Sequence, residues 1–164
     1  MKKQWLKHSD NLYTFLNDEK EIGKMEFFFN MNSSKANCTI AGDRFEIKRT
    51  DFWKSSLEIT DSNQKVVLKM YPEKWYANAS IVEFENKTYK LIVRNNPLAE
   101  YVITEKENDI LAYALAIEDK KIKLRISTSG NHNPVLDFLL WYLFHPVANE
   151  NFGNTYSFFG SQLL

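Results

Sequence analysis

Asn133-Pro134-Val135-Leu136-Asp137-Phe138-Leu139-Leu140-Trp141-Tyr142-Leu143-Phe144-His145-Pro146 is the stretch whose reading decides the fold. An asparagine suited to cap a helix precedes a proline suited to its first turn. Pro146 is expected to close the helix, because the residue before a proline is pushed out of the helical region. Residues 138–144 are apolar or aromatic without a break. At a helical period such a run covers every face, so the helix over 134–145 is expected to be buried all round. Roughly a dozen residues at about 1.5 Å each span about 18 Å, too short to cross a membrane. The helix must lie inside protein, and the rest of the chain must supply its walls.

What precedes it is written in period 2. Leu12-Tyr13-Thr14-Phe15-Leu16, Phe45-Glu46-Ile47-Lys48, Leu57-Glu58-Ile59-Thr60 and Ile122-Lys123-Leu124-Arg125-Ile126 are among the runs that alternate or nearly so. Short polar turns separate them, including Asn17-Asp18-Glu19-Lys20, Ala41-Gly42-Asp43, Glu85-Asn86-Lys87 and Glu118-Asp119-Lys120-Lys121. About a dozen such strands at spacings of roughly 8 to 12 residues signal an antiparallel barrel or sandwich. With no break in composition, residues 1–164 read as a single domain, mainly β. Leu111-Ala112-Tyr113-Ala114-Leu115-Ala116-Ile117 places three alanines on one face of a strand. That face is expected to admit the bulky helix at close range. Beyond Pro146, residues 152–164 carry no charged side chain and are too apolar for a solvated tail. This C-terminal extension is expected to pack across the barrel or its mouth, or else to bind a protein partner.

Composition narrows the function. Lysine plus arginine equal aspartate plus glutamate at 21 each, so there is no general pull on nucleic acid. No nucleic-acid partner is expected, and anionic lipid would need a local patch. The one cysteine, Cys38, forms neither an internal disulfide nor a zinc site and reads as a small half-buried hydrophobe. Residues 1–8 hold basic side chains without the apolar run of a secretory signal, so the expected compartment is the cytoplasm. Catalysis finds no support: the chain has no nucleophile elbow, no glycine-rich phosphate loop and no cysteine–histidine pair at readable spacing. The chain is therefore expected not to be an enzyme. The histidines, His8, His132 and His145, lack metal-ligand spacing, so neither metal nor cofactor is expected. Asp137 is the odd polar residue of the apolar helix, and in the first turn the free backbone amides and helix dipole can satisfy it.

About a dozen short strands followed by an all-apolar helix resembles the tubby C-terminal domain superfamily, which includes the LURP-one-related and phospholipid scramblase-like proteins. The matching parts are the 45–59 hairpin region, the strands to Ile126, and residues 135–144. The resemblance runs from about Leu12 to His145 and implies a closed antiparallel barrel of about twelve strands around a buried C-terminal hydrophobic helix. The extension at 147–164 departs from a helix that ends the chain. Tubby-type members bind phosphoinositide head groups through basic residues on the barrel wall, and scramblase-like members act at membranes. The resemblance implies a non-enzymatic binding module for a phospholipid head group or another anionic ligand at a membrane surface. No head-group motif carries over residue by residue.

The residues themselves offer one anion-binding candidate. Lys121, Lys123 and Arg125 alternate with apolar neighbours, so all three share one strand face about 7 Å apart. Convergent donors of this kind suit a phosphate, and arginine adds a bidentate fork. The same pattern also suits a solvated, edge-protecting face. Lys90 and Arg94 form a second outward pair, expected to be solvated, and Ser127-Thr128-Ser129-Gly130 is a loop able to form an anion nest. The competing function is a structural or protein-interaction domain acting through the uncharged tail. A lipocalin-type carrier of apolar ligands needs an empty lumen, which the helix would fill.

Overall fold

Period-2 alternation over residues 3–128 is resolved as twelve strands: β1 Lys3–Lys7, β2 Leu12–Asn17, β3 Lys20–Asn30, β4 Ser33–Ile40, β5 Asp43–Arg49, β6 Leu57–Asp61, β7 Val66–Pro72, β8 Ala79–Phe84, β9 Lys87–Asn95, β10 Ala99–Glu105, β11 Asn108–Glu118 and β12 Lys121–Thr128. Helix α1 Val135–Phe152 and a short strand β13 Gly160–Leu163 follow. The computed structural model describes residues 1–30, 33–50, 55–95, 97–152 and 160–163. Every strand from β1 to β12 pairs antiparallel with its neighbour in sequence. The turns therefore alternate between the two ends of a nearly closed barrel. Five of them have two residues at positive φ, namely Asp18-Glu19, Ala41-Gly42, Glu85-Asn86, Lys106-Glu107 and Asp119-Lys120. This is the turn conformation whose twist matches that of the flanking strands. Gly23 serves a different need. A Cβ there would overlap the Thr39 carbonyl oxygen on β4, so only glycine lets β3 and β4 approach.

α1 fills the barrel. Leu136, Phe138, Leu139, Leu140, Trp141 and Phe144 are all essentially inaccessible to water. Inward side chains of the strands meet them ring to ring. Trp5 stacks on Trp141 with centroids 5.2 Å apart and meets Phe138 edge-on at 4.9 Å. Tyr101 meets Phe144 at 5.3 Å from the far wall. Each fully buried side chain of this size contributes about 1.5–3 kcal/mol, so rod and wall stabilise each other.

Two expectations are corrected and a third is extended. First, Pro146 does not end the helix, which runs on to Phe152. An interior proline costs about 3 kcal/mol. Here Ala148 is buried past the proline, and Val147 and Phe152 pack on the core, which offsets that cost. Second, the alanines of β11 do not face the helix. Tyr113, on the opposite face of that strand, bonds Asp137 of α1, and its ring lies 6.4 Å from Phe144. Ala114 and Ala116 instead stand opposite Arg125 and Lys123 on the outer face. Their small side chains leave room for those long stems to lie along the wall. Third, the barrel wall has a thirteenth strand. Part of the uncharged extension, β13, pairs in parallel with β12 and lies beside β1, nearly closing the barrel on its first strand. The rest of that stretch, 153–159 and 164, lies outside the described residues.

Candidate functional site

The helix gives the two ends of the barrel different characters. At the entry end its N-terminus is capped by Asn133, whose Oδ1 accepts a hydrogen bond from the Val135 amide at 3.0 Å. The Asn133 Nδ2 donates at 2.8 Å to Glu85 in the β8–β9 turn. Two recesses flank that bond. One of about 680 Å³ runs past Phe45, Leu68, Phe84 and Val135, and a polar one of about 370 Å³ is lined by Lys87, Glu105 and His132. In the smaller recess Lys87 pairs with Glu105 at 3.2 Å.

Behind His132 lies a buried network. Lys3, the first residue of β1, places its Nζ 2.9 Å from Asp137 Oδ2 and 3.1 Å from Oδ1, with both side chains under 5% exposed (4% and 2%). The Tyr113 hydroxyl donates to Asp137 Oδ1 at 3.1 Å and accepts from the Trp5 indole at 2.9 Å. His132 Nε2 sits 2.9 Å from Lys3 Nζ and 3.0 Å from Asp137 Oδ2. Protonated, that nitrogen donates to Asp137, and its ring neighbour Nδ1 faces the Thr128 hydroxyl at 3.4 Å. That hydroxyl donates to the Gly130 carbonyl, so the 127–130 loop holds its own donors as it leads into the helix. Asp137 is thus satisfied by side chains of two strands and a loop, which corrects the expectation that the helix dipole and backbone amides suffice. A buried carboxylate needs such partners. Burial and the neighbouring Asp137 push the Tyr113 hydroxyl well above its ordinary pKa. The hydroxyl is therefore a hydrogen-bond donor, not a reactive phenolate.

The candidate cations lie on the outer wall at the other end, where α1 exits. Lys121 is exposed at the tip of the β11–β12 hairpin. Lys123 lies 3.5 Å from Glu118 and 3.8 Å from Asp119, and Arg125 lies 3.5 Å from Glu118. The structure therefore brings the three onto one outer face, and places Glu118 between two of them. Lys121 makes no ion pair among the described residues. Residues 118–125 still carry four cations against two carboxylates, so the hairpin is net positive. Lys90 and Arg94 are not simply solvated: Lys90 pairs with Glu73 at 3.0 Å, and Arg94 grips Asp109 with both guanidinium nitrogens at 2.8 and 3.0 Å.

The chain was compared with protein-family models, curated proteins and solved structures. Nothing matches it.

Among the described residues, no group of His, Cys, Asp and Glu side chains is placed to hold a metal ion, and no helix is long and apolar enough to cross a membrane. Cys38 is buried, and burial pushes its thiol far above the ordinary range, so it carries no thiolate chemistry. Sequence reasoning missed a feature of the exit end. Among the described residues, the exposed large apolar side chains are Phe28, Phe29, Tyr71, Trp75, Tyr76, Val93, Ile117 and Ile122, together with Met1. All but Met1 lie at the exit ends of their strands or in the β7–β8 loop at that end. The Pro72-to-Asn78 segment, with its adjacent tryptophan and tyrosine between two strands, is the signal that would have pointed there.

Proposed function

We propose that the chain is a non-enzymatic binding module for an anionic group at a membrane surface, phospholipid head groups being the ligand class. One observation carries the reading: Lys121, Lys123 and Arg125 lie together on the outer wall of a net-positive hairpin, Lys123 and Arg125 standing opposite Ala116 and Ala114. The lumen is filled by α1, which leaves the outside of the barrel as the binding surface. The order of strands and helix is what supports placing the chain with the tubby-like architectures. The cytoplasmic face of a membrane, where anionic lipids give a negative surface potential, is the matching location.

Co-sedimentation with vesicles of phosphatidylcholine, with and without phosphatidylserine, tests this. Binding should require the anionic lipid and weaken as salt is raised. Each basic residue near such a surface is worth about 1 kcal/mol, so Lys121→Glu with Lys123→Glu should lower the affinity by at least about tenfold. Equal binding to both vesicle types, or an unaffected double variant, would refute the head-group role.

A further inference from the structure

The barrel's exposed apolar side chains are not scattered. They crowd one end, and they are spread around its circumference rather than gathered on one flank. The β7–β8 loop carries the most exposed of them, Trp75 at 93%, beside Tyr76 at 66%. The two rings meet edge-to-face at 5.3 Å, and the Lys74 ammonium lies 5.8 Å from the Tyr76 centroid. On the β11–β12 hairpin, Ile117 and Ile122 stand directly opposite each other and both face water. Phe29 on β3 and Val93 on β9 continue the rim. At the entry end, by contrast, the turns are Asp18-Glu19, Ala41-Gly42, Ser62-Asn63-Gln64-Lys65, Glu85-Asn86 and Lys106-Glu107, with Met1 the one exposed large apolar residue among those described.

We infer that the barrel docks end-on, with the Trp75-Tyr76 loop as an aromatic anchor inserted at the interface of a lipid bilayer. This rests on the membrane reading above and adds to it a second site, on another hairpin and of a different chemistry. A bilayer fits the observations better than a folded partner does. Apolar groups on separate hairpins around a rim are reached together by a flat, deformable apolar layer, whereas a protein partner typically buries one contiguous patch. Tryptophan and tyrosine pair an apolar body with a polar edge, the combination enriched where hydrocarbon meets water. Lys74 and the net-positive 118–125 hairpin stand at the same end, placed to meet anionic head groups while the rings enter below them. The polar entry end then faces away from the membrane.

The test uses the full chain with the same two vesicle types, prepared with and without brominated acyl chains. Trp75→Phe keeps an aromatic ring at the site, so the difference between wild-type and variant emission isolates the Trp75 signal. That signal should be quenched by brominated lipid on binding. Trp75→Ala with Tyr76→Ala should lower vesicle binding by at least about tenfold, with the circular dichroism spectrum unchanged because both side chains face water. If wild-type binds anionic vesicles while Trp75 stays unquenched, or while the double alanine variant binds equally well, the anchor is wrong and the head-group reading survives. If wild-type binds neither vesicle, both fail. If the chain associates without lipid and the double variant restores the monomer, the rim belongs to a second copy and the bilayer assignment is overturned.

Discussion

Lys3 and Asp137 stand 134 positions apart in sequence and share one buried contact. An ion pair removed from water gains little net free energy, but a single charge left behind there is strongly destabilising. Lys3→Met should therefore cost about 3–5 kcal/mol, since Asp137 would keep the Tyr113 hydroxyl but lose its counter-charge. Lys3→Met combined with Asp137→Leu should recover much of that loss. Urea denaturation of the two single variants and the double variant measures the coupling, and additive effects would show that the pair does not act as a unit. Asp137 was legible in the sequence as an anomaly, one carboxylate in an apolar rod. Its partner was not, because alternation alone gives no reason for a terminal lysine to point inward. The usable signal was physical: a buried carboxylate needs a donor, and inward strand positions at the helix-entry end are the places to look for one.

At the scale of elements, the strands and most turns were readable because a half-buried strand imposes its period on side-chain type and a two-residue turn imposes positive φ. The helix end was misread because a local rule about Pro146 was outweighed by burial beyond it. The face of β11 was misread because small residues were matched to the helix, when they were making room for Lys123 and Arg125 across the strand pair. The exit half of α1 has its own chemistry. His145, just before Pro146, stacks on Phe27 at 4.1 Å and sits 2.9 Å from the Tyr13 hydroxyl. Burial first, and the charge of Lys7 second, lower its pKa from 6.5 to about 4. The unfolded chain therefore takes up this proton before the folded one does. Stability from this site is complete above pH 6.5, declines as pH falls from 6.5 to 4, and is gone below both values. The drop amounts to about 3 kcal/mol at most. Urea unfolding across that window should show a shallower pH dependence for His145→Gln than for wild-type, and parallel curves would assign the dependence to other groups.

The whole molecule depends on how a sheet that begins at β1 meets its own end. A barrel without exposed edges needs its last strand to reach the first, and β12 does so only through β13. That closure was not legible, because residues 160–163 carry no alternation and read simply as part of an apolar tail. Their packing was anticipated, but not their place in the wall. An unpaired strand edge presents free backbone donors and acceptors, a template for pairing with another chain. Deleting residues 160–164 should uncover the edges of β1 and β12 together. Four paired residues, at about 0.5–1.5 kcal/mol per hydrogen bond, set the expected destabilisation at roughly 2–6 kcal/mol. The shortened chain should also self-associate as concentration rises, and light scattering coupled to size exclusion would detect this. Because Trp75 and Tyr76 lie in a different connection of the barrel, the β7–β8 loop, vesicle binding should persist in whatever monomer remains. A truncated chain that stays monomeric and melts like the intact one would show that twelve strands close the barrel unaided.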